Sequence, residues 1–226
     1  MALLLIDTCG QQGSVALATT GSEPERLFTR QLPGRAASEK LLSEIKHLAS
    51  ESGVSLHALR TVAVVHGPGS FTGVRVGLSA AKGLCEALGI PLVAISRLAV
   101  LAHLAAPNQA AKVRALLDAG RGEFYSGLYQ GSACLREELL TRDQLLAETT
   151  TEAAQLVACE PAAAQSLAAQ SVRIVQEPRA EDALPIARAR IAQASWSDIA
   201  SVDANYLRRT DAEILAKQKA AASAAV

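Results

Sequence analysis

The chain has 226 residues, 50% hydrophobic, 19% charged and 3% aromatic; this excludes intrinsic disorder and leaves room for one large or two small domains around a sizeable core. Lys plus Arg and Asp plus Glu both total 22, so no overall field draws the chain to nucleic acid or to an anionic membrane, and a stand-alone nucleic-acid binder is disfavoured. No uninterrupted apolar run reaches the roughly 20 residues of a bilayer span, the richest stretch, 87–106, being broken by Pro91 and Arg97. The first seven residues lack a basic start and carry too short an apolar run for a signal peptide. They read as a strand ending in Asp7. Cys9, Cys85, Cys134 and Cys159 are far apart with no C-x-x-C spacing, which argues against a zinc knuckle or a disulfide scaffold and fits a reducing cytoplasm.

In chain order, residues 3–6, 14–18 and 27–30 are short apolar or alternating segments separated by Gly-rich turns, the pattern of a three-strand meander. A helix follows: Ser38 can cap it, Leu41, Leu42, Ile45, Leu48 and Ala49 recur at helical spacing, and Gly53 supplies the stop. Residues 61–65 form a β-branched strand. Next comes Gly67-Pro68-Gly69-Ser70-Phe71-Thr72-Gly73-Val74-Arg75, opening a helix that ends at Gly89. A strand over 91–95 and a helix capped by Ser96 and stopped before Pro107 complete the first half. The pattern then restarts. Residues 113–117 lead into Asp118 as 3–6 lead into Asp7; strands are predicted over 123–129 and 133–140, a helix over 141–148, a strand over 153–159, a helix over 161–169, a strand over 172–175 and a helix over 182–194. This doubled order predicts two similar α/β lobes, residues 1–106 and 107–216, and a low-complexity tail, 217–226.

The Gly67–Gly73 loop sits between a strand and a helix, where free backbone N–H groups favour an anion. It is neither a P-loop nor a dinucleotide fingerprint, since no Gly-Lys-[Ser/Thr] follows and the spacing is G-x-G-x-x-x-G. Phe71 stands where a nucleophile elbow needs Ser. Gly67, Pro68, Gly69, Ser70, Gly73 and Arg75 therefore read as a structural loop, with a ligand loop as the competing reading. Asp7 and Asp118, each ending an apolar strand, are candidate ligands for a metal with nucleotide phosphates; a carboxylate closing a turn is the plainer alternative. His47, His57, His66 and His103 show no H-E-x-x-H and no paired spacing, so a metalloprotease finds little support. From Ser132 onward there is no glycine, hence no Gly-Gly turn to admit a nucleotide in the second lobe, and the chain reads as a poor ATP enzyme by itself.

The helix after Gly73 has only Arg75, Lys82 and Glu86 as charges and is apolar all round. Such a helix must be covered all round, by the sheet on one side and by another helix or a partner chain on the other. Val74, Leu78 and Ala81, with Leu42, Ile45 and Ala49 of the preceding helix, are the candidate interface residues.

Leu5-Ile6-Asp7-Thr8, Ser14-Val15-Ala16-Leu17, the unbroken run from Gly67 to Gly77, Gly83-Leu84, Asp118-Ala119 with Arg121-Gly122-Glu123-Phe124-Tyr125, and Tyr206-Leu207-Arg208 together resemble the TsaB (YeaZ) family over almost the whole chain. The resemblance implies two ribonuclease-H-like lobes of the actin and Hsp70 ATPase type (ASKHA). It implies no catalysis, cofactor or metal of the chain's own. The implied role is to dimerise, through its first two helices, with TsaD, which transfers threonylcarbamoyl to N6 of adenosine 37 of tRNA; the ATPase TsaE engages the same pair. tRNA is contacted only indirectly, and a homodimer of the isolated chain is a further expectation. The competing reading from the residues alone is a small actin-like phosphotransferase using Asp7 and Asp118 with magnesium.

Overall fold

The computed structural model describes residues 2–19, 25–32, 37–106, 111–167 and 170–208. The first half runs β1 (Ala2–Asp7), β2 (Gly13–Thr19), β3 (Arg26–Leu32), α1 (Ala37–Ser52), β4 (Leu59–Val65), α2 (Phe71–Leu88), β5 (Leu92–Ile95) and α3 (Arg97–Ala105). The second repeats it as β6 (Lys112–Gly120), β7 (Glu123–Gln130), β8 (Ala133–Thr141), α4 (Arg142–Thr151), β9 (Gln155–Ala158), α5 (Pro161–Ser166), β10 (Val172–Ile174) and α6 (Leu184–Ala192). The sheets have matching orders, β3-β2-β1-β4-β5 and β8-β7-β6-β9-β10. In each, the first strand pairs antiparallel with the second and parallel with the fourth. The doubled reading of the sequence is therefore the topology.

Chemistry explains which strands lie where. β1, its neighbour β4 and β5 beyond it are mostly apolar and buried on both faces, the composition of parallel strands covered by helices. β3, an edge, keeps most side chains exposed and carries Arg26 and Arg30, whose charge discourages pairing with another chain. In β6 the fully buried Arg114 is held by Glu148 at 2.7 Å, by Glu152 at 3.4 Å and by the Ser126 hydroxyl at 3.0 Å.

Two helices change sides. α1 packs on β2 and β3, and α2 on β1, β4 and β5, while the opposite face of this sheet is covered from the far end of the chain by a 3-10 turn (Ala180–Ala183) and by α6 on β5. Conversely α3 lies on β6, β7 and β9, with Leu98 and Leu101 among Val113, Ala115 and Leu117. Packing therefore crosses the division expected at residues 106 and 107: the last helix of each half covers the sheet of the other. Residues 107–110, and 209–226 with the tail, lie outside the described residues.

Local signals fall close to expectation. Ser96 accepts from the Leu98 N–H, and Gly89 closes α2 in the left-handed conformation. Gly53 ends α1 at positive φ. Ser38 is inside α1 rather than its cap, because the helix already begins at Ala37. The helix predicted over 182–194 is a 3-10 turn followed by α6, the break falling where Pro185 favours a helix start.

Candidate functional site: the cleft between the lobes

The Gly67–Gly73 loop is built against the end of β1. Ser70 caps α2, accepting from the Gly73 N–H at 3.2 Å, and its own N–H donates to the Cys9 carbonyl at 2.8 Å. The Thr8 hydroxyl donates to the Gly73 carbonyl at 2.6 Å. A Cβ at Gly73 would lie 2.0 Å from the Thr8 carbonyl oxygen, and one at Gly69 2.4 Å from that of Cys9. At both positions the missing side chain permits close backbone approach. Gly67, at φ 106°, turns its carbonyl to accept from the Arg97 N–H at 2.7 Å. The loop and Pro68 thereby tie the ends of β1 and β4 to the starts of α2 and α3.

Beside the loop lies a cleft of about 610 Å³, lined by Thr8 to Gln11, Ser70, Thr72, Asp118, Glu160 and Glu177 among others. Asp7 comes just before the first lining residue, Thr8, but does not itself line the cleft. It is buried, one carboxylate oxygen accepting from the Cys9 N–H at 2.8 Å and the other without a partner. Burial pushes this carboxyl above its ordinary range, against the opposing pull of Arg97 and of the Cys9 N–H. Burial works against the Arg97 cation too, yet Asp7 and other neighbouring acids outweigh it and hold the guanidinium firmly charged. Arg97 pairs at 2.8 Å with Glu177, whose same oxygen accepts from the Gln11 N–H at 3.0 Å. Across the cleft, Asp118 closes its own turn, accepting from the Gly120 N–H at 2.7 Å, while its N–H donates to Glu160 at 2.6 Å. Burial raises Glu160 as well.

Asp118 borders the cleft whereas Asp7 is buried behind Thr8 and Cys9, so the two do not form a magnesium pair facing one space. Asp7 faces a buried guanidinium, a poor neighbour for a divalent cation. Among the described residues no three His, Cys, Asp or Glu side chains are grouped to hold a metal ion. Arg97, Gln11, Glu160 and Glu177 were not singled out in the sequence. Arg97 had a signal: it is a lone cation opening an apolar helix, at the end where the helix dipole disfavours positive charge. A second cavity of about 850 Å³ lies between α3, α6 and the β7–β8 hairpin. His66 and His103 line it, and its Glu137 is engaged by the Tyr129 hydroxyl and by Asn205 at 2.6 Å.

The interface residues divide sharply. Leu42 is 54% exposed, whereas Ile45, Ala49, Val74, Leu78 and Ala81 are buried, Leu78 at 6% and Ala81 at 0%. Those five belong to the chain's own core. Helical spacing marks a buried stripe, and the stripe it marked is the one facing the sheet. The outward side of α2 carries Phe71, Arg75, Ser79, Gly83 and Ala87 instead. Phe71 is 60% exposed with the Arg75 guanidinium 3.3 Å from its ring centroid; Tyr206, also exposed, lies 5.1 Å from the same guanidinium.

Comparison with known proteins agrees with this architecture. The family model described as "TsaD: tRNA N6-adenosine threonylcarbamoyltransferase" matches residues 31–182. The tRNA threonylcarbamoyladenosine biosynthesis protein TsaB of Escherichia coli (strain K12) is 31% identical over 222 residues, covering 92% of this chain and 95% of its own. The chain belongs to the TsaB family. The Haemophilus influenzae protein of the same name is 36% identical over 126 residues, covering 55% of this chain and 52% of its own. Among solved structures, YeaZ from Pseudomonas aeruginosa superposes with a TM-score of 0.75 at 30% identity, covering 91% of this chain and 99% of that one. The two-lobed ASKHA-type fold expected from the resemblance is thus the family's fold. Two further family motifs have structural roles here: Arg208 donates to the Ala119 carbonyl at 2.8 Å and pairs with Glu123 at 2.6 Å, pinning the β6–β7 turn.

Proposed function

We propose that the chain is a non-catalytic subunit of the tRNA N6-threonylcarbamoyladenosine transferase complex and heterodimerises with TsaD through the outward sides of α1 and α2. Membership in the TsaB family supports the pathway. The carrying observation for the surface is the Phe71–Arg75–Tyr206 stack, with Leu42 on the adjoining α1: exposed aromatic rings joined by a guanidinium are the composition of an interface centre. Gly83, Ser79 and Ala87 are small enough to let a partner helix approach. TsaE joins the pair, tRNA is contacted mainly through TsaD, and without TsaD the same face pairs with a second copy of this chain. The cytoplasm is the compartment this reading implies; no helix among the described residues is long and apolar enough to cross a membrane.

The test is co-purification with TsaD followed by a tRNA modification assay with and without this chain. Modification is expected only when the chain is present, and Phe71→Ala is expected to weaken the pair by about 2 kcal/mol, the scale of an aromatic hot spot. Robust turnover of ATP by the isolated chain, or modification undiminished in its absence, overturns the reading.

A further inference from the structure

We infer that the cleft contains an anion site built for a phosphoryl group and that the chain fills it with its own Glu177 carboxylate. Two donors from different parts of the fold converge on a single Glu177 oxygen: the Gln11 N–H at 3.0 Å, from the turn after β1, and the Arg97 guanidinium at 2.8 Å, from the start of α3. The space exists because residue 10 has no side chain. A Cβ at Gly10 would fall 2.3 Å from that carboxylate oxygen and 2.7 Å from the Arg97 nitrogen. The Arg97 side chain is almost wholly buried, and its Nε has no hydrogen-bond partner, so the guanidinium retains an unused donor.

Glu177, by contrast, is 39% exposed on its side chain and reaches in from the segment between β10 and the 3-10 turn. It is the removable part of the arrangement. A backbone N–H beside a buried guanidinium is the donor set that recognises phosphate oxygens, the guanidinium offering a planar fork. The acids around it do not forbid this. Glu177 is itself an anion beside Asp7, Glu160 and Asp118, and a phosphate monoanion in its place meets the same field. What keeps phosphate out is tethering, because an intramolecular carboxylate competes at an effective concentration in the millimolar range.

This carries the cleft beyond the subunit reading: it is closed to phosphate by occupancy, although its donors suit an anion. The experiment is titration of the full-length chain with inorganic phosphate at matched ionic strength, followed by the backbone amide resonance of Gln11 and by melting temperature. Wild type is expected to show little response. Glu177→Ala is expected to bind phosphate about tenfold more tightly or better, with a shifted Gln11 amide and a phosphate-dependent rise in melting temperature. Adding Arg97→Lys is expected to lose most of that gain. A folded Glu177→Ala chain with no Gln11 response overturns the proposal, as does wild type binding phosphate equally well. Should Glu177→Ala fail to fold, Glu177→Gln preserves the shape without the charge and must still gain phosphate binding over wild type, failing which the proposal falls. Co-purification of wild type with TsaD is read separately, so either idea can fail alone.

Discussion

His66 shows how one ring reports on its surroundings. Its Nδ1 lies 3.0 Å from the Asp203 carbonyl oxygen, and because a carbonyl only accepts, that nitrogen carries the proton and the ring can stay neutral. Burial pushes the imidazole below its ordinary value of 6.5, against the opposing pull of the Asp203 carbonyl. A histidine depressed in the fold binds fewer protons there than in the unfolded chain, so its contribution to stability is present above pH 6.5 and is lost as pH falls toward the depressed value. The melting temperature of wild type is therefore expected to decline through that window, and His66→Gln to flatten the decline. The carboxyls of Glu160 and Asp182, raised by burial, act with opposite sign at lower pH, which makes the difference between variant and wild type the quantity to compare. His66 had no special weight in the sequence. Its environment comes from Asp203 and Glu137, residues far along the chain that only the fold brings near.

At the scale of elements, the loop before α2 was visible as a motif but not as a purpose. Phosphate cradle and packing turn both ask for glycine, and the deciding neighbours, Thr8 and Cys9, lie some 60 residues earlier. Gly73→Ala drives a methyl to within 2.0 Å of the Thr8 carbonyl oxygen, a rigid backbone atom that can move only with β1. Denaturant unfolding is expected to show a loss of about 1–3 kcal/mol. Gly83, ten residues on in the same helix, has no atom within 4 Å of an added Cβ. Gly83→Ala is accordingly expected to gain about 0.5–1 kcal/mol from helix propensity, and equal effects at the two positions would refute the packing account. Caps were the most legible features because they are local: Ser96 and Gly89 act within a few residues of themselves.

For the whole molecule, the repeat could be read from the order of elements, since sheet topology follows from connectivity once the strands are placed. The exchange of α3 and α6 could not, because which sheet a helix covers is a long-range choice that periodicity does not encode. The same limit explains the interface residues: an all-round apolar α2 announced two covered sides without saying which was which. In the fold, Leu78 and Ala81 face the chain's own core, whereas Phe71, Arg75, Ser79 and Gly83 follow one another at four-residue steps along the outside. A charge on each side should then fail in different ways. Leu78→Asp places a carboxylate among buried hydrocarbon and is expected to cost at least about 3 kcal/mol of folding stability, so any loss of partner follows from loss of fold. Gly83→Glu meets open space in the isolated chain and is expected to leave its unfolding midpoint within about 0.5 kcal/mol of wild type. If α2 is the docking surface, that folded variant nevertheless stops co-purifying with TsaD, because the charge would be buried unpaired between two helices. Full retention of the complex by a folded Gly83→Glu chain would move the interface off α2.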